Sequence, residues 1–192
     1  MKKWIALLLV MTMALSAVAC RRKKAEPTDA TDKNQTEQTD KTEQKTPLNG
    51  TMEDNVNKIM EQNPAQFMGG QIPVDLQDTT EEGLEALRSF TGLDTPEKIK
   101  DIAVYEPMMG SQAFSLVLVR VTDSADAKAV AQQMKENINP RKWICVMADQ
   151  VMAAGYGDVV MFVMLDSQLG LTAQSYVDTF AAICGGKLDF TI

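Results

Sequence analysis

The sequence predicts an α+β domain, in which a mostly antiparallel sheet of about five strands carries helices on one face, preceded by a disordered tether. Apolar residues recur at helical spacing in separate blocks, and short β-rich runs stand between them. The order strand, Gly-containing turn, strand, helix also occurs twice, over residues 102–138 and 151–184. Asp with Ser or Thr precedes the helix in each copy, although few identities join the two.

The folded part is expected from Thr51. Thr51 and Asp54 offer a capping pair, and Met52, Val56, Ile59 and Met60 recur on one helical face before Asn63-Pro64 stops the run. A second helix follows Asp78-Thr79-Thr80, burying Leu84, Leu87 and Phe90 and ending near Gly92; Thr95-Pro96-Glu97 opens a single turn at most. From Ile99 the period changes. Residues 102–105 and 114–121 read as strands rich in β-branched and aromatic residues, joined around Pro107-Met108-Met109-Gly110. Residues 124–138 form the clearest helix, with Ala127, Val130, Ala131, Met134 and Ile138 on one face. Residues 143–147 and 151–154 look like strands, and Val159–Leu165 is a continuous apolar run of central-strand character. Thr172 caps a last helix burying Tyr176, Val177, Phe180 and Ile183, closed by Gly185-Gly186.

Ahead of this domain, Met1-Lys2-Lys3 and the mostly apolar residues 4–19 have the pattern of an export signal, expected over residues 1–19. The apolar run falls short of the roughly 20 residues that span a hydrocarbon core. Ala17-Val18-Ala19-Cys20 resembles the lipobox of bacterial lipoproteins, with Ala17 where that motif usually carries leucine. The resemblance implies that Cys20 is acylated and becomes the new N-terminus, on the extracytoplasmic face of the cell membrane. Arg21, Arg22, Lys23 and Lys24 would then lie at the anionic headgroups, adding about 1 kcal/mol each. The same four cations run against the positive-inside tendency, which favours an uncleaved signal anchor instead. Residues 25–50 hold six threonines and no aromatic, so residues 20–50 read as lipidated cysteine plus disordered tether, with a root-mean-square reach of about 30 Å.

Charge and composition then exclude several activities. Residues 51–192 carry 10 Lys and Arg against 20 Asp and Glu, so this domain repels nucleic acid and an anionic bilayer alike. The chain has no histidine, which removes Ser-His-Asp, Cys-His and His-metal chemistry. No Walker or dinucleotide fingerprint is present, and no cofactor or metal is expected. Export would allow a Cys145–Cys184 disulfide, although two buried small apolar residues is the plainer expectation.

What remains is a candidate binding surface on the two hairpin turns: Tyr105, Glu106, Met108 and Met109 on the first, Tyr156 and Asp158 on the second. If the turns face each other, Glu106 and Asp158 form a carboxylate pair able to act as acid and base on cell-wall glycan or peptide, the alternative to a binding role. Met108-Met109 suits an adaptable partner contact or a soft Cu(I) ligand set, although core packing of at least one is the plainer expectation. Arg141-Lys142-Trp143 could hold a sugar ring or an acidic peptide by stacking and charge, although the plainer expectation puts the indole inward and the cations in water.

The run DIAVYEPMMGSQAFSLVLVRVTD, then a helix, then YGDVVMFVMLDS and a second helix, resembles an uncharacterised lipoprotein family of Gram-positive anaerobes, a domain of unknown function. The resemblance spans roughly residues 84–184 and implies surface attachment and a small α+β domain, with no catalytic residue. The expectation is therefore a membrane-anchored extracytoplasmic binding or protein-interaction module.

Overall fold

The computed structural model describes residues 47–192. The expected signal segment, Cys20 and the tether as far as residue 46 lie outside the described residues. The described chain runs α1 (Met52–Gln62), β1 (Gly69–Ile72), α2 (Glu81–Thr91), β2 (Ile99–Pro107), β3 (Phe114–Val121), α3 (Ala127–Asn137), β4 (Gln150–Tyr156), β5 (Val159–Leu165), α4 (Ala173–Ile183) and β6 (Phe190–Thr191). All six strands belong to one sheet in the order β1-β2-β3-β5-β4-β6, and every neighbouring pair is antiparallel. The protein is α+β, as the sequence predicts.

Local chemistry sets the helix ends. The Thr51 hydroxyl accepts from the Asp54 N–H while the Asp54 carboxylate accepts from the Thr51 N–H, each at 3.1 Å, so two orphan donors of α1 are satisfied reciprocally. Thr80 and Thr172 cap α2 and α4 through their hydroxyls. Gly92 ends α2 at φ +71, a conformation open to glycine because it lacks Cβ.

Two helical layers replace the expected single one. On one face, Val56 and Ile59 of α1 and Tyr176, Val177 and Phe180 of α4 pack on Leu116, Leu118, Met161, Val163 and Leu165. On the other, Leu87 of α2 and Val130, Ala131 and Met134 of α3 pack on Val117, Val119, Val160, Phe162 and Met164. The reason lies in β3 and β5: both are buried along almost their whole length, and a strand apolar on both faces demands cover on both.

The two helices of the recurring pattern also land on opposite faces, α3 on one and α4 on the other. Because β3 and β5 pair antiparallel, a rotation exchanging the two hairpins runs along the sheet normal and keeps each face in place. The recurrence is one of order, and the halves are not copies in space.

The strand expected at 143–147 does not form. The Ile144 N–H donates to Gly110 O at 2.9 Å and Cys145 takes φ +62, so this segment is a loop bonded to the β2–β3 turn, outside the sheet. Cys184 is buried, as expected, whereas Cys145 is exposed on that loop, and both thiols are free. The short edges β1 and β6 bring the strand count from about five to six.

Phe162 is fully buried on β5 against the α3 layer. Phe162→Ala is expected to cost about 3–5 kcal/mol, read in urea unfolding as a lower midpoint with an unchanged m value.

Candidate functional site

The two hairpin turns do not meet. In the β3–β5 ladder Phe114 pairs with Leu165 and Arg120 with Val159. The β2–β3 turn therefore lies at one end of the sheet and the β4–β5 turn at the other, about 20 Å away at ~3.3 Å per residue. This corrects the expectation that they face each other, and the cause is the antiparallel pairing of the central strands. Glu106 and Asp158 are too far apart to serve one scissile bond, since carboxylate pairs in glycosidases lie at most about 10 Å apart.

Asp158 is occupied in holding structure. Its carboxylate takes Arg120 Nη1 at 3.0 Å and Lys100 Nζ at 2.9 Å, while Arg120 Nη2 donates to Leu48 O at 2.7 Å and Gly50 O at 3.1 Å. This end of the sheet is where the chain enters the domain, and Leu48 is already buried there, three residues before the expected start. Tyr156 lines a groove of about 480 Å³ at the same end, beside Leu48, Asn55, Lys58 and Cys184. Burial pushes the Cys184 thiol up to about 12, so it is no nucleophile at neutral pH. Asn55 spends its amide on Asn49 O and Thr51 O.

At the other end, strand alternation sends Tyr105 and Glu106 to opposite faces. Tyr105 turns into the α1/α4 core, edge-on to Phe114 with centroids 6.3 Å apart, and burial raises its hydroxyl pKa. Glu106 points to the α2/α3 face and pairs with Lys142, both side chains nearly nine-tenths buried. Lys142 Nζ also donates to Ser89 O at 3.0 Å and sits over the Phe90 and Trp143 rings, at 4.6 and 5.3 Å from their centroids. The expected wet cation is thus buried. Desolvation pulls the Lys142 ammonium below the ordinary lysine range, with Glu106 opposing. Ser115 Oγ is buried without a partner among the described residues and makes no hydrogen bond to Lys142, so serine and lysine do not form a nucleophile–base couple.

The same end carries the exposed apolar side chains of the described residues. Met108 is 75% exposed, Met109 61%, Ile144 72% and Met68 77%, with Met147 also exposed. The core packing expected of at least one of Met108 and Met109 does not occur, because both lie beyond the last rung of β2 on a turn with no helix above it. Met68 and Met108 are cross-strand neighbours, joined by a 2.9 Å bond from Met108 N to Met68 O. Ile144 lies against Gly110. The loop at 139–149 was the element sequence reasoning missed; Pro140 and the lack of clean alternation after it are its signal. Among the described residues no group of three or more His, Cys, Asp or Glu is placed to hold a metal, and no helix is long and apolar enough to cross a membrane.

No protein-family model matches the chain, and no curated protein or solved structure matches it.

Lys142→Met should destabilise the domain by about 3 kcal/mol, because Glu106 is left buried and unpaired. In a double-mutant cycle read by urea unfolding, Lys142→Met with Glu106→Gln should recover most of that loss.

Proposed function

We propose that the chain is a lipid-anchored, extracytoplasmic protein-interaction module that presents a methionine-rich apolar surface to a partner. The observation that carries this reading is the cluster of Met108, Met109 and Ile144, each more than half exposed, on a turn and loop fixed from beneath by the buried Glu106–Lys142 pair. Exposed apolar groups gathered at one site mark an interaction surface more often than they are left wet. Unbranched thioether side chains fit partners of varied shape.

The anchoring half of the proposal rests on residues 1–24: the apolar segment, Cys20 after small residues, and four cations beside it. An acyl chain with a basic cluster supplies the two signals that stable membrane attachment requires. The resemblance to surface lipoproteins supports the same compartment. Within the domain, the Arg120 clamp on Leu48 and Gly50, the first part of the described chain, lies at the end of the sheet opposite the methionines. A carboxylate hydrolase built on Glu106 and Asp158 finds no support, since the two groups are distant and each is neutralised by a cation.

A photo-cross-linking residue placed at 108, 109 or 144 in cells is expected to trap one discrete protein adduct, and the same residue at Gln174 on α4 none. Met108→Asp with Ile144→Asp should abolish that adduct while changing folding stability by less than about 1 kcal/mol, as surface substitutions do. Equal trapping from position 174, or none from 108, 109 and 144, would refute the interaction reading. Release of the chain from membranes after Cys20→Ser tests the anchoring half.

A further inference from the structure

We infer that two copies of this chain join edge to edge through β1, continuing the six-stranded sheet across a twofold axis at Gly70. The inference rests on the β1–β2 ladder and depends on neither the lipid anchor nor the partner-binding reading of the methionine turn.

The bond from Met108 N to Met68 O makes Met68 and Met108 a hydrogen-bonded pair of the antiparallel ladder. With the register Gly69↔Pro107, Gly70↔Glu106, Gln71↔Tyr105 and Ile72↔Val104, the backbone groups of Gly70 and Ile72 also point toward β2. Those of Gly69 and Gln71 consequently point outward, and no backbone hydrogen bond reaches them from the other described residues. Side chains confirm the phase. Ile72 joins the α2/α3 core, while the Gln71 side chain lies on the α1 face and donates to Glu53 O and Asn57 Oδ1.

An open edge of this kind is a template for another strand, and proteins normally blunt it with lysine, proline, a bulge or extreme shortness. The opposite edge, β6, is blunted by its length of two residues. β1 is four residues long and Pro73 closes it, but within the strand, Gly-Gly-Gln-Ile, there is no charge, proline or bulge, and the outward groups of Gly69 and Gln71 stay open.

The sequence of β1 is complementary to itself. Antiparallel pairing about Gly70 sets the outward groups of Gly69 against those of Gln71 in the second copy, and each such pair exchanges two backbone hydrogen bonds. Gly70 then faces Gly70 as a pair without hydrogen bonds, where the Cα atoms approach to about 4.5 Å. A Cβ built on Gly70 meets nothing within 4 Å, so that space is open in the single chain. One step further, Met68 faces Ile72 of the second copy on the same sheet face, which covers the most exposed large apolar side chain of the described residues. β1 itself brings no charge to the seam. The contact is isologous and closes as a dimer.

Disulfide trapping of the intact chain in cells tests this, with Cys145→Ser as background so that the exposed thiol is removed. Gly70→Cys is expected to give a species of twice the chain mass on a non-reducing gel. Its yield should exceed that from Gln174→Cys, or from the background chain, by about tenfold or more, as expected for a held pair against random collision. Gln71→Pro removes the outward N–H together with the side-chain bonds to α1 and spares the inward groups of the β1–β2 ladder, so it should bring the G70C dimer to background. Gln71→Ala, which deletes the same side chain but keeps the N–H, should leave the dimer in place. Circular dichroism of the purified variants should show the same folded signal for both. Four results would each overturn the inference: no G70C dimer above background, an equal yield from Gln174→Cys, persistence of the dimer in folded Gln71→Pro, or trapping of another protein instead of a second copy.

Discussion

The antiparallel contact between β3 and β5 governs the rest of the molecule. These strands are apolar at nearly every position, so neither face can be left to water, and the chain must supply a helical layer for each. That requirement places α1 and α4 on one side and α2 and α3 on the other. The same contact fixes where the hairpins go: two hairpins whose second strands pair antiparallel must point their turns in opposite directions. The distance between Glu106 and Asp158 is a consequence of this topology, and no side-chain adjustment closes it.

Each end of the sheet is then organised by a charge taken out of water. At one end Arg120 gathers Asp158 and the carbonyls of Leu48 and Gly50, satisfying most of its donors in one place. At the other, Lys142 binds Glu106, Ser89 O and the faces of two aromatic rings, and so joins α2, β2 and the loop at 139–149. Burying this pair carries a desolvation cost that its attraction roughly offsets, so its effect is better described as positioning than as stabilisation. It holds Ile144 beside the β2–β3 turn and gives the methionine surface a fixed floor.

The helices and the central strands were legible in the sequence because their signals are local. Thr51 with Asp54, Thr172, Gly92 and the run Val159–Leu165 each state their structure within a few residues. The second helical layer is also implied there, since a strand apolar on both faces cannot have one side bare, whereas the order of strands and helices alone does not say which face each helix covers. Trp143 to Met147 misled for a physical reason: aromatic and β-branched residues favour strands only when an edge is free to receive them. Here Ile144 is bonded instead to the β2–β3 turn, and the edges are filled by β1 and β6. Gly69-Gly70 carries almost no strand propensity and forms β1 only because Glu106 and Pro107 at the end of β2 present a ladder to it. The site was the least legible part, because which turns converge depends on pairing order, a property no local pattern contains.

Exposure of the methionines and exclusion of charge from β1 belong together. Residues 51–192 carry a large negative excess, and at low ionic strength such a domain repels copies of itself as well as anionic surfaces. Association under that repulsion requires contacts free of like charge and rich in backbone or apolar groups, and the described surface concentrates such groups along one line, from β1 through Met68 and Met108 to Ile144. The acidic residues keep the remaining surface solvated. The Arg120 clamp on Leu48 and Gly50 lies at the opposite end of the sheet, so the first described residues and the methionine turn occupy different ends.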